Sequence, residues 1–375
     1  MSDYDDTEKV DNNQRTVLAA LAGGALTGAA ALAGQQTQAA ARETSGSEQS
    51  VNTGVDLNKK GMQLIITGSG SALPDPLRGG ASCAVVVDGV VLQFDCGRRV
   101  LENLMLVGIN PMKVDHLFFT HLHFDHIADY DYFVISNWIA GRQEPVYVYG
   151  PKRTEAMSEG AIKHMHAMDY EFVHEILSYW PPHMKKRPTQ EPPFTVKDVS
   201  PGVIIETDSF KVTSLETDHL PFPNMHTLGY RVDSDYGSVA ISGDTGVSDG
   251  MLKLAKDVDI LVHECVKPDL GMTPGGGKFS SKDFHSDKLM KKRPQTGHTS
   301  PSQLGKLAQD ANVKKLIAYH LAPYTSVPAA IEMSSLYLGQ SPGPSIWTAF
   351  SSAMKKQYDG PVVLAEDRMI FDIRK

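Results

Sequence analysis

Thr120-His121-Leu122-His123-Phe124-Asp125-His126 sets three imidazoles and a carboxylate into one short stretch at the end of a strand-like run, His116 to Thr120. Successive side chains of an extended segment point to opposite faces, so His121 and His123 share a face and can meet one ion, while a turn redirects Asp125 and His126. Two ligand clusters therefore diverge from one loop. A lone histidine is most often structural, but three within six positions beside an aspartate point to metal. Neutral imidazole suits zinc, and carboxylate widens the choice toward iron or manganese. Each ion needs three or four protein ligands, so further Asp or His must arrive from distant parts of the chain.

This run resembles the His-x-His-x-Asp-His signature of the metallo-β-lactamase superfamily. Ile66-Thr67-Gly68-Ser69-Gly70-Ser71-Ala72 resembles the opening strand and glycine turn of its ribonuclease Z and arylsulfatase branch, and Phe94-Asp95-Cys96-Gly97 the strand end that supports the metal ligands. Further matches follow in family order: His219 after Thr217-Asp218, Asp244 in Ser242-Gly243-Asp244-Thr245, His263-Glu264, His298, and His320 in Ala318-Tyr319-His320. The resemblance implies one Zn2+ held by His121, His123, His219 and Asp244, and a second held by Asp125, His126, Asp244 and His320, with Mn2+ or Fe2+ as substitutes. Asp244 would bridge the pair, and an anionic bridge offsets the repulsion between neighbouring cations. His219, Asp244 and His320 each follow a strand-like segment, where loops gather on one edge and carry chemistry.

Val- and Phe-rich runs read as strands at Met62 to Ile66, Cys83 to Val87, Val90 to Phe94, Ile204 to Glu206, Phe210 to Leu215, Leu228 to Val232, Val239 to Ser242, Ile260 to His263 and Leu316 to His320. Helical spacing marks Val100 to Val107, Asp129 to Ile139, Met251 to Lys256 and Ser302 to Asp310, the last opened by the capping sequence Thr299-Ser300-Pro301. Periodicity alone supports a mixed α/β protein. The resemblance implies a four-layer αββα sandwich, two mixed sheets with helices outside and the ligands at one edge. Glu155 to Trp180 has helical character, and its stripe of Met157, Met165, Met168, Phe172 and Ile176 reads as core packing. Gly271 to Gly297 is long, polar and glycine-rich, and reads as a lid.

With 375 residues, 41% hydrophobic and 21% charged, the chain fits one large layered domain plus an N-terminal extension. Residues 1–44 read as an export signal: Arg15 precedes a weakly apolar Ala/Gly-rich run to Gly34, and Ala39-Ala40-Ala41 offers a cleavage site. It resembles the twin-arginine type, although Gln14-Arg15 replaces the arginine pair and the leading region is acidic. The expected location is periplasmic or secreted, or cytoplasmic if the segment is not a signal. The run is too marginal for a stable membrane span. Residues 45–61 read as a linker and 62–375 as the catalytic domain. Cys83, Cys96 and Cys265 lie in apolar runs and look like small buried side chains, not a disulfide framework.

Two divalent ions beside a trapped water point to hydrolysis, with Asp125 orienting the nucleophile. The resemblance implies that His298 donates a proton to the leaving group and that Glu264 holds its imidazole. The formal charge of -8 gives no overall footprint for nucleic acid, and Lys288 to Arg293 reads as a solvated loop. Ribonuclease Z enzymes carry a glycine-rich basic arm between the fourth histidine ligand and the bridging aspartate, and the stretch Tyr230 to Asp244 leaves no room for one. The expected substrate is therefore a small ester (aryl sulfate, phosphodiester or carboxylic ester) acted on outside the cytoplasm, with nucleic acid disfavoured and an oligomer compatible. Other expectations are a ribonuclease Z-type transfer RNA endonuclease, a lactonase or β-lactam hydrolase, and a non-catalytic metal-binding protein.

Overall fold

A computed structural model describes residues 54–179, 188–219, 226–266, 269, 297–323, 325–338 and 344–374. The N-terminal segment read as an export signal, most of the glycine-rich stretch read as a lid, and Lys288 to Arg293 lie outside the described residues. Two seven-stranded sheets form the body. In the first, β1 (Met62–Gly68), β2 (Ser82–Val87), β3 (Val90–Phe94), β4 (Val114–Phe118), β5 (Val146–Gly150) and β6 (Phe194–Asp198) follow chain order, with β14 (Ile370–Ile373) outside β1. In the second, β7 (Gly202–Glu206), β8 (Phe210–Glu216), β9 (Leu228–Ser234), β10 (Gly237–Ile241), β11 (Ile260–Glu264), β12 (Leu316–Tyr319) and β13 (Val362–Leu364) do the same. Both sheets begin with antiparallel pairs and change to parallel, at β3/β4 and at β10/β11.

The helices are α1 (Val100–Leu106), α2 (Phe124–Ile127), α3 (Tyr130–Ile139), α4 (Thr154–Gly160), α5 (Ala167–Tyr179), α6 (Asp249–Leu254), α7 (Pro301–Asp310), α8 (Pro328–Leu338) and α9 (Ile346–Lys355). Strand alternation sorts the apolar residues into three layers of contact. Cys83, Val85 and Val87 of β2 meet Val239 and Ile241 of β10 between the sheets. Ala84 and Val86 face α1 and α3 on one outside, and Ala240, Leu261 and Ala318 face α6, α7 and α9 on the other. Because β2 is covered on both faces, its sequence is a continuous apolar run with no polar alternation. The architecture is the four-layer αββα sandwich.

Local chemistry ends the elements where the sequence suggests. Ser300 and Gln303 form a reciprocal capping box at the start of α7, with Pro301 inside the first turn. Cys83, Cys96 and Cys265 are free and buried. The segment 154–179 departs from expectation: a π-helical turn, Ala161–Met165, interrupts it, and Met165, Met168 and Phe172 are exposed. Only Val173 of α5 is fully buried, against Ile135 and Trp138 of α3. Among the described residues no helix is long and apolar enough to cross a membrane.

Candidate metal centre

Every predicted ligand lies just beyond a strand or in the loop that follows one, on a common edge of the sandwich. His121 and His123 follow β4, and α2 then carries Asp125 and His126 inward. His219 follows β8, Asp244 follows β10, and His320 is the residue after β12. His320 sits at φ 54°, in the left-handed region, a strained setting for a residue with a side chain. Its neighbour's backbone is tied down, since Leu321 N donates to Ser69 O at 2.9 Å.

Two cages result. The ligand atoms of His121, His123, His219 and Asp244 all lie within 4.8 Å of one another, as do those of Asp125, His126, Asp244 and His320. Asp244 belongs to both. In the first cage, ring nitrogens crowd together: His121 Nε2 and His219 Nε2 lie 3.0 and 3.3 Å from His123 Nδ1. In the second, Asp244 Oδ1 lies 3.1 Å from His126 Nε2 and 3.0 Å from His320 Nε2. Asp244 Oδ1 and His126 Nε2 are buried without a hydrogen-bond partner, so bare lone pairs converge where a cation would satisfy them. The donor set, five imidazoles and two carboxylates, fits a pair of divalent metals.

The outer nitrogens show how the rings are aimed. His126 Nδ1 lies 2.8 Å from Asp95 Oδ2, His219 Nδ1 donates to Gly297 O at 2.7 Å, and His121 Nδ1 lies 3.1 Å from Thr120 Oγ1. Engaging the outer nitrogen fixes the ring and leaves the inner one free for metal. Asp95 also accepts from Thr120 N and Thr120 Oγ1 at 2.8 and 2.9 Å, which anchors the start of the histidine loop. Gly243 approaches the same threonine; a Cβ there would sit 2.4 Å from Thr120 Cβ, and its φ is 61°. Only glycine lets Asp244 come so close to the loop.

Burial alone would raise the Asp244 carboxyl, but the imidazoles of His320 and His126 outweigh it and hold it well below the usual carboxylate range. Asp244 is therefore an anion, as a bridge between cations requires. His298 stands beside the cages, its ring centroid 5.0 Å from that of His219 and 6.0 Å from that of His320. Its Nδ1 lies 3.0 Å from Glu264 Oε1. Burial draws the His298 pKa down, but the Glu264 carboxylate more than compensates and lifts it to about 9. Glu264 is fully buried and accepts backbone N–H groups of Thr245 and Thr299 as well. The structure thus brings together all nine residues singled out in the sequence. His263 does not join them: its Nδ1 turns to Glu264 O, and Cys265, next on the same face of the strand, packs toward the helices. Thr120 and the Gly297 carbonyl had not been singled out; a backbone oxygen has no sequence signature.

The metallo-beta-lactamase superfamily model matches residues 77–293, more than half of the chain. Among curated relatives, the ribonuclease Z of Mycobacterium bovis (strain BCG / Pasteur 1173P2) is 31% identical over 213 residues, covering 56% of this chain and 72% of the relative. The ribonuclease Z of Methanothermobacter thermautotrophicus is 25% identical over 305 residues, covering 70% of this chain and 87% of its own. Among solved structures, the metallo-beta-lactamase fold protein YhfI of Bacillus subtilis superposes with a TM-score of 0.58 at 16% identity, over 84% of this chain and 100% of that one. Human tRNase Z, short form, gives 0.52 at 19% identity, over 84% and 100%. These relatives overturn the expectation of a small-molecule ester substrate with nucleic acid disfavoured, because proteins this similar are named for acting on RNA. The error was physical: a net charge sums over the whole chain and says nothing about the potential beside one site. The missing arm was read correctly as a missing segment, since β9 and β10 join through Asp235 and Tyr236 alone, but its absence did not exclude RNA. By sequence, fold and ligand order, this chain belongs to the metallo-beta-lactamase superfamily, in its ribonuclease Z branch.

Proposed function

We propose that this protein is a binuclear metal-dependent endonuclease of the ribonuclease Z type, which cuts the phosphodiester that joins a 3′ extension to precursor transfer RNA. The observation that carries the reading is the pair of four-residue cages sharing Asp244, in a chain whose curated relatives are ribonuclease Z proteins. His121, His123, His219 and Asp244 would hold one ion, and Asp125, His126, Asp244 and His320 the other. The predominance of imidazole favours zinc. Bound there, two divalent ions would polarise the phosphoryl oxygen and lower the pKa of water.

The protein's own groups do the rest. Asp125 Oδ2, 3.1 Å from His320 Nε2, orients the attacking water and takes up its proton. His298 gives a proton to the departing 3′ oxygen; its Nδ1 is engaged by Glu264 at 3.0 Å, which leaves Nε2 as the donating atom. A carboxylate held by the backbone N–H groups of Thr245 and Thr299 keeps that ring from turning away. Proton delivery matters because a ribose oxygen is a poor leaving group as an alkoxide.

The test is a panel: zinc-loaded protein incubated with precursor transfer RNA bearing a 3′ extension, an aryl sulfate and a lactone, alongside Asp244→Ala. The expected result is a single endonucleolytic cut that frees the extension, lost in the variant. Turnover of the aryl sulfate or the lactone with intact RNA would contradict the proposal.

A further inference from the structure

His121, Asp125, His126, His219, Asp244, Glu264 and His320 are buried, whereas His123 is half-buried and the His298 side chain is 29% exposed. Among the described residues these two rings are where the centre meets solvent. Phe124 is next to one of them in the chain. It follows His123 and precedes Asp125, so it lies one residue from a ligand of each cage, about 3.8 Å along the backbone in either direction.

The local fold turns this ring outward. His123 is extended at the N-cap of α2, and the first turn carries Asp125 and His126 into the centre, while the Phe124 ring between them stays in solvent. The other apolar residues of the stretch, Leu122 and Ile127, pack on the core beneath α1 and α3. Phe124 joins no apolar cluster among the described residues and is 68% exposed. Two further exposed apolar side chains, Leu77 at 65% and Val247 at 46%, lie on the loops that follow β1 and β10 toward the same edge. Of these three exposed side chains among the described residues, Phe124 alone is aromatic.

We infer that Phe124 is a substrate-positioning residue, a platform on which the nucleobase flanking the scissile phosphate stacks. The inference rests on the functional reading above. Every nucleotide offers a π-face beside its phosphate, and stacking on an aromatic side chain tolerates any base sequence. That suits an enzyme that must accept unrelated extensions. The ions would grip the phosphate, and Phe124 grips the base next to it and so holds the strand in place.

The experiment compares wild type, Phe124→Ala and Phe124→Trp, all zinc-loaded, on extended transfer RNA and on the same RNA with an abasic nucleotide immediately 5′ or 3′ of the cut. Phe124→Ala is expected to raise KM roughly tenfold to a hundredfold, the range of one lost base stack, at wild-type metal content, and Phe124→Trp to restore it. One of the two abasic substrates should cost wild type the same factor and cost Phe124→Ala nothing further. An alanine effect that is absent, or equally large on both abasic substrates, overturns the inference. If wild type cuts no RNA, the functional reading fails instead. The stacking claim is then decided on small phosphodiesters: a loss in Phe124→Ala on a bis-aryl but not a dialkyl ester supports it, and equal rates or equal losses overturn it.

Discussion

Asp95 belongs to neither cage, yet both of its oxygens serve the histidine loop: Oδ1 accepts Thr120 N, and Oδ2 receives Thr120 Oγ1 and His126 Nδ1. It is fully buried and held at φ 57°, a costly placement for a carboxylate. Such a group tunes a metal through the ring it holds. Asp95→Ala is expected to weaken metal binding by about 10- to 100-fold, read by competition with a chromophoric chelator; unchanged affinity would show that His126 is aimed by packing alone. The ligands of the 121–126 loop were readable because three imidazoles and a carboxylate crowd into six positions, while His219, Asp244 and His320 became readable through the family resemblance. Thr120 was not, since a hydroxyl next to a histidine is common, and its value comes from Asp95, twenty-five residues away in the chain.

Helix α7 packs on α9 through Gly305, where a Cβ would lie 2.4 Å from Met354 O and 2.9 Å from Met354 Cα. Two effects compete in Gly305→Ala. Helix propensity favours alanine by about 1 kcal/mol, but backbone cannot yield to a clash this short, and overpacking costs typically about 1–3 kcal/mol. The clash should win, so the variant is expected to be less stable by up to roughly 2 kcal/mol in urea unfolding, the difference of those terms. A stabilised variant would mean that α9 moves freely. The ten strands read from the sequence fall within a residue or two of β1 to β4 and β7 to β12, because runs such as β2, β3 and β8 to β12 are rich in Val, Ile and Leu and sit between turn residues, whereas β5, β6 and β14 were not read. The helical stripe of 154–179 misled: period shows that an apolar face exists, not what covers it. Met165, Met168 and Phe172 fall on such a face and remain exposed. Strand β13, three residues of Val-Val-Leu, is too short to carry a pattern, and its place comes from pairing with β12.

Across the molecule, two halves of similar topology each deliver ligands to one edge: β4 and α2 from the first sheet, the loops after β8, β10 and β12 from the second. Neither sheet alone completes a cage, since His121 and His123 meet His219 and Asp244, and Asp125 and His126 meet Asp244 and His320. The sandwich core of Phe94, Phe118, Tyr230 and Tyr319 between the sheets thus holds the ligands in register. Fold and ligand set were legible through the family resemblance, whereas substrate class was not, because it depends on surfaces assembled from loops. The proposed function stands on the sharing of Asp244, and metal content per chain tests it most directly. Elemental analysis of protein freed of metal, reloaded with Zn2+ and desalted should give two ions per chain for wild type, with cleavage of extended precursor transfer RNA rising as the second ion binds. Asp244→Ala should hold at most one ion and cut nothing. Full activity with a single ion per chain, or two ions retained without Asp244, would contradict the account.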